Sequence, residues 1–459
     1  MHLFNGKLFS LTLLIILFIK EGVCNELFPA GKGTTEDFSV HAFSHPMSGT
    51  RGNDRRAFVV GNSFFKSAWV SSPASTPLRD GLGPIYNATS CTSCHHLDGR
   101  GKGLPNSKGN TDISLLFRIK EINEKGALEK HPVYGDQLQP FGIEDVNGEG
   151  NVEVSFKSIE GSYPDGQKYQ LSKPIYDFSN LNYGTLSKKT VTSPRVGPQV
   201  IGLGLLENIP DAVLLKNEDP LDANKDGISG RANRVVSKLD GSTKIGRFGW
   251  KAASATLLEQ NAAAFNGDLG ITSSVFPEEE CTQYQLDCLN SMTVDDLSDS
   301  ILQRVTEYVQ LLGVPKRRNF NDPDVQRGKE IFNKINCQSC HHASYQTGSS
   351  SNFDSLNNQK IYPYTDLLLH DMGDLLADDA RNLQFEGIAT TREWRTPPLW
   401  GLGLIETVNG HSRLLHDGRA RDFEEAILWH DGEARESKLS FMSLNESDRD
   451  RLIKFLKSL

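Results

Sequence analysis

The chain has 459 residues, of which 37% are hydrophobic and 23% charged, and this balance is typical of soluble globular proteins, not of disordered or fibrous ones. Its length predicts two or three domains. Acidic residues outnumber basic ones by 58 to 49, giving a net charge of -9, and the lack of a basic excess argues against nucleic acid as a partner.

The N-terminal segment is apolar from Leu8 to Ile19, with a lysine on either side. This run is shorter than the roughly 20 residues that a membrane-spanning helix needs. It predicts a secretory signal peptide over residues 1–24, with lipidation at Cys24 as the alternative. No second long apolar run follows, so we expect an exported, periplasmic protein that does not span the membrane.

Two CxxCH motifs carry the clearest chemistry. They comprise Cys91, Cys94 and His95 in the first copy, and Cys337, Cys340 and His341 in the second. In such a motif the thiols form thioethers with a haem, and the histidine becomes the proximal iron ligand. A structural zinc site would use the same residue types. Recurrence of the motif in an exported chain favours two covalently bound haem c groups.

The region after the first motif contains a strand pattern. Apolar and polar residues alternate over 152–159, and the turn sequence Tyr163-Pro164-Asp165-Gly166 follows. This pattern predicts a β-hairpin inserted into the first half of the chain.

An oxygen-rich loop follows at 222–228. Asp222, Asn224 and Asp226 occupy positions 1, 3 and 5 of a calcium loop, with Gly227 at position 6. Ile228 would add its carbonyl oxygen at position 7. The twelfth position is Asn233 instead of glutamate, so an ordinary EF-hand is not supported. The loop predicts a Ca²⁺ site, and a turn capped by its own side chains is the alternative.

Two further cysteines, Cys281 and Cys288, lie outside any CxxC motif. In an exported protein this arrangement predicts a local disulfide. A catalytic redox pair would require a lowered thiol pKa, which nothing in the neighbouring sequence indicates.

Helical patterns dominate the later part of the chain. They cover residues 297–312, 325–335, 423–429 and 446–456. The stretch 313–323 predicts a linker, and the Ser- and Asn-rich stretch 344–358 predicts a surface loop.

The sixth iron position decides whether a haem transfers electrons or reacts with a substrate. His430, fourteen residues after His416, and Met372 are both candidates for the haem at His341. The sequence alone does not rank them.

An internal repeat organises the whole chain. Ile85-Tyr86-Asn87 precedes the first CxxCH at the spacing with which Ile331-Phe332-Asn333 precedes the second. The pattern Gly-Leu-Gly-Leu recurs at 202–205 and 401–404, entered in both copies through proline. Duplication of one structural module explains this repetition.

With these motifs, the chain resembles the bacterial di-haem cytochrome c peroxidase superfamily, and within it the di-haem oxidoreductase family sometimes labelled thiol oxidoreductases. The resemblance covers nearly everything from Phe58 to the C-terminus. It is carried by Gly83-Pro84 with the first CxxCH motif, by residues 193–195, 202–207, 222–231 and 248–251, and by 364–373, 394–403 and 414–434.

The resemblance implies roles for individual residues. Trp250 corresponds to a tryptophan between the haems, and Gln260 to a distal-pocket glutamine ten residues later. Asp268 is the nearest match to an acid–base residue, although the peroxidases have glutamate there. His430 takes the position of the distal ligand of the C-terminal haem, which is methionine in the peroxidases. Calcium in the superfamily lies near the domain interface.

We therefore expect a mainly α fold of two cytochrome c-like domains, each with one covalent haem c, and a small β-rich insertion in the first. The expected domains are residues 25–318, with the peroxidatic haem, and 319–459, with the electron-transfer haem. Electrons from a small cytochrome or cupredoxin would enter at the C-terminal haem and reduce peroxide at the N-terminal haem. A non-catalytic electron-transfer cytochrome and an oxidase of a protein or metal-ion partner are the alternatives.

Overall fold

The computed structural model describes residues 26–291, 297–379 and 381–459. The predicted signal peptide and Cys24 lie outside the described residues. None of the helices in the described ranges combines the length and apolar character that crossing a membrane requires.

Within the described ranges, the α-helices are Gly52–Lys66 (α1), Cys91–Cys94 (α2), Leu203–Glu207 (α3), Asp211–Leu214 (α4), Leu257–Leu269 (α5), Leu286–Asn290 (α6), Asp299–Leu311 (α7), Pro323–Lys334 (α8), Ile405–Asn409 (α9), Phe423–Trp429 (α10), Arg435–Met442 (α11) and Glu446–Ser458 (α12). Short 3₁₀ turns occupy Gly31–Gly33, His96–Asp98, Leu215–Asn217, Cys337–Ser339, Asp354–Leu356, Leu402–Leu404 and Gly432–Ala434.

The strands are Ile85–Tyr86 (β1), Gly109–Asn110 (β2), Leu115–Ile122 (β3), Leu128–Lys130 (β4), Phe141–Gly142 (β5), Asn151–Ser162 (β6), Lys168–Ser179 (β7), Thr190–Val196 (β8), Arg234–Val236 (β9), Thr243–Ile245 (β10), Tyr345–Gln346 (β11), Lys360–Ile361 (β12), Leu369–Asp371 (β13), Gln384–Glu386 (β14), Ala389–Thr390 (β15) and Glu393–Arg395 (β16).

The prediction of a mainly α fold of two cytochrome c-like domains is wrong. Helix accounts for 29% of the structure and strand for 19%. The strands form small antiparallel sheets, of which β2–β6–β7 and β4–β3–β8 have three strands each. Strands β3 and β8 were not predicted because they pair although they lie far apart in the sequence. Most of the other strands that were not predicted have two or three residues, which is too short to show alternation.

The predicted hairpin is confirmed by β6 and β7, which pair over their full length from Asn151–Ser179 to Ser162–Lys168. It contacts residues from the second half of the chain. The backbone N–H of Ser172 donates to Glu425 at 2.8 Å, and the Tyr176 hydroxyl donates to Asp417 at 3.0 Å. The hairpin therefore ties the two halves together.

The four predicted helical segments are confirmed, with small shifts, as α7, α8, α10 and α12. Capping fixes their starts. Ser298 accepts from the backbone N–H of Ile301 at the start of α7, and Asp322 accepts from that of Asp324 at the start of α8, where Pro323 occupies the first turn.

The internal repeat extends to helix packing. Helix α1 packs against α7, and α8 packs against α12. Each crossing has a glycine at its closest point, because a β-carbon on Gly61 would clash with the carbonyl oxygen of Arg304, and one on Gly328 would clash with that of Arg451. Both halves thus bring two helix backbones into the same close contact.

The repeated Gly-Leu-Gly-Leu segments pack closely against helices of these two pairs. A β-carbon on Gly204 would clash with the backbone of Gln310 in α7, and one on Gly403 would clash with that of Lys457 in α12. One large apolar cluster contains buried residues from both halves of the chain, among them Leu205, Val305, Leu404 and Phe455. The predicted domain boundary at residues 318 and 319 falls between α7 and α8, and the division itself stays a prediction.

The predicted local disulfide is confirmed. Cys281 and Cys288 are bonded, with their Cα atoms 5.8 Å apart.

Candidate functional site

One cavity of about 450 Å³ reaches both cysteine motifs. Its lining includes Cys91, Cys94 and His95 from the first motif, and Cys337, Cys340 and His341 from the second. Most of the remaining lining is apolar, contributed by α5, α7, α10 and the segments that enter the two Gly-Leu-Gly-Leu repeats. A ligand held by both motifs would therefore be largely shielded from water.

His95 is held in a fixed orientation beside the first motif. Its Nδ1 atom lies 2.7 Å from the carbonyl oxygen of Pro198, and its ring lies 6.2 Å from that of Phe65 at the end of α1. Burial lowers the pKa of His95. A neutral imidazole that donates through Nδ1 leaves Nε2 free as a metal ligand.

His341 repeats this arrangement in the second motif. Its Nδ1 atom lies 3.1 Å from the carbonyl oxygen of Tyr364, and its ring lies 6.2 Å from that of Phe332 in α8. Burial, together with the neighbouring charge of His430, lowers its pKa to about 4. Both motif histidines are thus prepared to bind a metal through Nε2.

The thiols of the two motifs are free and line the cavity. Burial raises the pKa of Cys91 to about 12 and that of Cys337 to about 12. The residues therefore fit a group bound by two sulfur atoms and one imidazole at each motif. This is the donor set that covalent haem c requires.

Both candidates for a second axial ligand lie at the cavity. His430 follows the last residue of α10, and its Nδ1 atom lies 2.7 Å from the carbonyl oxygen of Ala426. Both His430 and His341 line this cavity, and the charge of His430 contributes to the lowered pKa of His341. Met372 also lines the cavity and is half-buried.

Trp250, Gln260 and Asp268 also line this cavity. Trp250 is buried, and its Nε1–H donates to the carbonyl oxygen of Val196 at 2.8 Å. Gln260 and Asp268 lie on α5, whose start is fixed by a capping box between Thr256 and Glu259. The structure thus brings together the three residues implied by the family resemblance.

Asp268 lies among polar groups near the first motif. Gln137 donates to its Oδ1 at 2.9 Å. Burial raises the pKa of Asp268, although Gln137 and the nearby Arg118 act in the opposite direction. A carboxyl group with a raised pKa is suited to exchange protons near neutral pH.

Sequence reasoning missed several charged residues at this cavity. Glu386 pairs with Arg195 at 2.9 Å and lies 3.6 Å from Arg118. Burial alone would raise the pKa of Glu386, but these two guanidinium groups hold it at about 2. Arg195 belongs to the stretch 193–195, which carries part of the family resemblance, whereas Arg118 and Glu386 lie in segments without a recognised motif.

A second group of residues without a predicted role includes Lys251, which follows Trp250 in the sequence. The rings of Trp394 and His416 are stacked at 3.7 Å with an interplanar angle of 11°. The ammonium group of the fully buried Lys251 lies 3.7 Å from the Trp394 ring centroid and 3.1 Å from Asp378. These contacts fix a second tryptophan at the cavity wall.

His370 is engaged by carboxylates on both ring nitrogens. Asp366 lies 2.9 Å from its Nε2 and Glu433 lies 2.7 Å from its Nδ1. Burial alone would lower the pKa of His370, but Asp366 raises it well above its ordinary value. Of the described His, Cys, Asp and Glu side chains, Cys340, Asp366 and His370 alone converge as three donors. Since Cys340 belongs to the second motif, this cluster belongs to the same site.

The 222–228 loop lies beside the cavity, which Ile228 lines. Its side-chain oxygens accept hydrogen bonds from the loop backbone. The N–H of Gly227 donates to Asp222 at 3.2 Å, that of Asp226 to Asn224 at 2.9 Å, and that of Ile228 to Asp226 at 2.9 Å. These are the contacts of a self-capped turn, so calcium binding stays a prediction.

Comparison with known proteins gives one match. A family model described as "Di-haem oxidoreductase, putative peroxidase" matches residues 29–459. No curated protein and no solved structure matches the chain.

Proposed function

The chain belongs to the di-haem oxidoreductase family, and from this premise we propose that it is an exported di-haem c enzyme that reduces peroxide. Cys91 and Cys94 would hold one haem with His95 as its proximal ligand. Cys337, Cys340 and His341 would hold the other. The observation that supports this most is that both motif histidines donate through Nδ1 to a backbone carbonyl at the wall of one shared cavity.

In this proposal the two haem sites have different tasks. Haem groups held at the two motifs would supply the one-electron redox chemistry that peroxide reduction requires. His430, which lines the cavity together with His341, would be the second iron ligand at the C-terminal site, so electrons from a small cytochrome or cupredoxin would enter there. Trp250 lines the same cavity and would shorten the electron path to the N-terminal site.

The residues near His95 manage protons and charge. Reduction of one peroxide consumes two electrons and two protons and yields two waters. Asp268 takes the proton from the oxygen that binds and returns it to the oxygen that leaves. Gln260 donates a hydrogen bond that stabilises the charge developing as the oxygen–oxygen bond breaks. Gln137 keeps the Asp268 carboxylate in position through its 2.9 Å hydrogen bond.

Two further features complete the proposal. Asp222, Asn224, Asp226 and the carbonyl of Ile228 would bind Ca²⁺ beside the cavity, supported by the number of their oxygen donors. Export to the periplasm is supported by the Cys281–Cys288 disulfide, because such bonds persist in oxidising compartments.

Steady-state peroxide consumption with a reduced small cytochrome as donor tests the proposal. We expect turnover by the wild-type protein and its loss in Asp268→Asn, with both haems still attached. Asp299→Asn is the matched control, because Asp299 lies on the surface at the start of α7. Equal turnover by the wild type and Asp268→Asn would contradict the role of Asp268.

A further inference from the structure

Two buried arginines at the cavity have no acidic partner. Arg100 and Arg395 line the cavity and are 5% and 7% exposed. The Nε of Arg100 donates to the carbonyl of Arg413 at 2.9 Å, and its Nη2 donates to that of Leu415. Within the described ranges, no carboxylate lies within ion-pair distance of either guanidinium group.

Arg395 is bonded in the same way. Its Nε donates to the carbonyl oxygen of Gly249 at 2.8 Å, and its Nη1 donates to that of Thr396 at 3.2 Å. The acidic residues that act on the two arginines from further away are already engaged. Asp417, near Arg100, pairs with Arg419, and Asp366, near Arg395, pairs with His370.

The other cavity arginines differ in this respect. Arg195 and Arg118 share Glu386 as a counter-ion. An unpaired buried charge costs several kcal/mol, so a protein that keeps two of them at one cavity is expected to bind anions there. Burial lowers the pKa of Arg100 and of Arg395 to about 10, which leaves both charged at neutral pH.

Both guanidinium groups lie next to Trp250. The guanidinium carbon of Arg100 is 5.3 Å from the centroid of the Trp250 ring. The backbone N–H of Arg395 donates to the carbonyl oxygen of Trp250 at 2.8 Å, and its side chain bonds to the preceding residue, Gly249. The Arg100 guanidinium therefore contacts the Trp250 ring, and the Arg395 guanidinium contacts the backbone just before it.

We propose that Arg100 and Arg395 bind carboxylates of the haem propionates at the cavity wall beside Trp250. The inference rests on the proposed function, because it requires covalent haem at both motifs. The propionates lie on the porphyrin edge opposite the thioethers. A haem fixed through Cys91 and Cys94, or through Cys337 and Cys340, therefore extends its carboxylates away from its motif and into the cavity.

The test uses the full-length holoprotein and the variants Arg100→Gln and Arg395→Gln. Arg413→Gln is the matched control. Arg413 is also buried and donates to backbone carbonyls, those of Gly418 and Pro105, but it does not line the cavity. Covalent haem per chain, the midpoint potentials and the propionate bending bands of the resonance Raman spectrum are measured for each protein.

We expect two haems per chain throughout. In each cavity variant, loss of the positive charge should shift the reduction equilibrium of at least one haem about tenfold toward the oxidised state, which is about 59 mV for a one-electron couple. The propionate bands should shift as well. Arg100→Lys should restore the midpoint potential of the wild-type protein, since lysine keeps the positive charge. It should not restore the wild-type propionate bands, since lysine lacks the planar guanidinium group that binds a carboxylate through two nitrogens. Arg413→Gln should change neither.

Three results would overturn the inference in distinguishable ways. Two haems per chain with unchanged propionate bands in both cavity variants would show that the guanidinium groups do not touch the propionates. In the second case, acetate shifts the midpoint potential of the wild-type protein while the propionate bands of the variants stay unchanged. This would show that the two guanidinium groups bind a diffusible carboxylate instead. A wild-type protein without covalent haem would overturn the proposed function itself.

Discussion

The Nδ1 atom of His95 lies 2.7 Å from the carbonyl oxygen of Pro198, more than 100 residues away in the sequence. The corresponding atom of His341 lies 3.1 Å from the carbonyl oxygen of Tyr364. These hydrogen bonds fix the ring orientation and the tautomer of each histidine before any metal binds. The two motifs therefore present the same ligand geometry to one cavity.

This geometry predicts the number of covalent haems. Cys337→Ser combined with Cys340→Ser should reduce two haems per chain to one, because the thioether bonds at that motif are lost. Cys281→Ser combined with Cys288→Ser is the matched control, since it also removes two sulfurs but leaves both motifs intact. Mass spectrometry of the intact chain measures the result. Two haems in the first variant would contradict attachment at Cys337 and Cys340.

The placement of His341 and His430 at one cavity predicts the ligation of the C-terminal haem. His430→Met should raise the midpoint potential of that haem, because a thioether ligand favours the reduced iron more than an imidazole does. Spectroelectrochemistry measures the shift. Met372→Leu should leave the potential and the spectrum unchanged. A potential that changes in Met372→Leu but not in His430→Met would identify Met372 as the ligand instead.

The environment of Asp268 predicts the pH dependence of the peroxide reaction. Burial raises its pKa, although Gln137 and Arg118 act against this. Since the reaction requires the deprotonated carboxylate, the rate should fall as the pH drops through this raised pKa. Asp268→Asn should slow the reaction by about 10²- to 10⁴-fold and remove this limb of the pH–rate profile. If the pH–rate profile of Asp268→Asn kept this limb, the group that titrates would be another residue.

The Glu386–Arg195 pair predicts the pH dependence of stability. Burial opposes ionisation of Glu386, but Arg195 and Arg118 hold its pKa at about 2, below the ordinary 4.5. The stabilisation is therefore complete above the ordinary pKa and is lost as the pH falls toward 2. Glu386→Gln should lower the free energy of unfolding by about 3 kcal/mol at pH 7, and this difference should shrink as the pH is lowered.

Urea unfolding at several pH values measures this difference. Glu36→Gln is the control, because Glu36 is 73% exposed and its contact with Lys316 is 3.4 Å. It should change the free energy of unfolding by less than about 1 kcal/mol. A loss for Glu386→Gln that stays constant down to pH 2 would contradict ionisation of Glu386 in the folded state.

The sequence predicted those features that depend on neighbouring residues. The Cys281–Cys288 disulfide closes a short loop, the start of α8 is marked by Asp322 and Pro323, and the β6–β7 hairpin has a clear turn. The fold class was wrong because strands such as Ile85–Tyr86 and Phe141–Gly142 form only through long-range pairing. A strand of only two residues is too short to give a periodic pattern in the sequence.

The site was predictable to the extent that its residues belonged to motifs. Gln137 and Glu386 reach the cavity through tertiary contacts that leave no local pattern in the sequence. The pairing of Gly61 with Arg304 and of Gly328 with Arg451 extends the repeat that was visible near the motifs. Gly61 lies thirty residues before Cys91, whereas Gly328 lies nine residues before Cys337. Because these spacings differ, the sequence alone did not align the two glycines.

Rapid mixing of the half-reduced, calcium-loaded protein with one equivalent of hydrogen peroxide tests the central claim most directly. The account predicts a fast, second-order change in the haem absorbance, slowed in Gln260→Ala and in Asp268→Asn. Spectra that stay unchanged over minutes, with both irons low-spin throughout, would contradict peroxide reduction and identify an electron-transfer cytochrome instead.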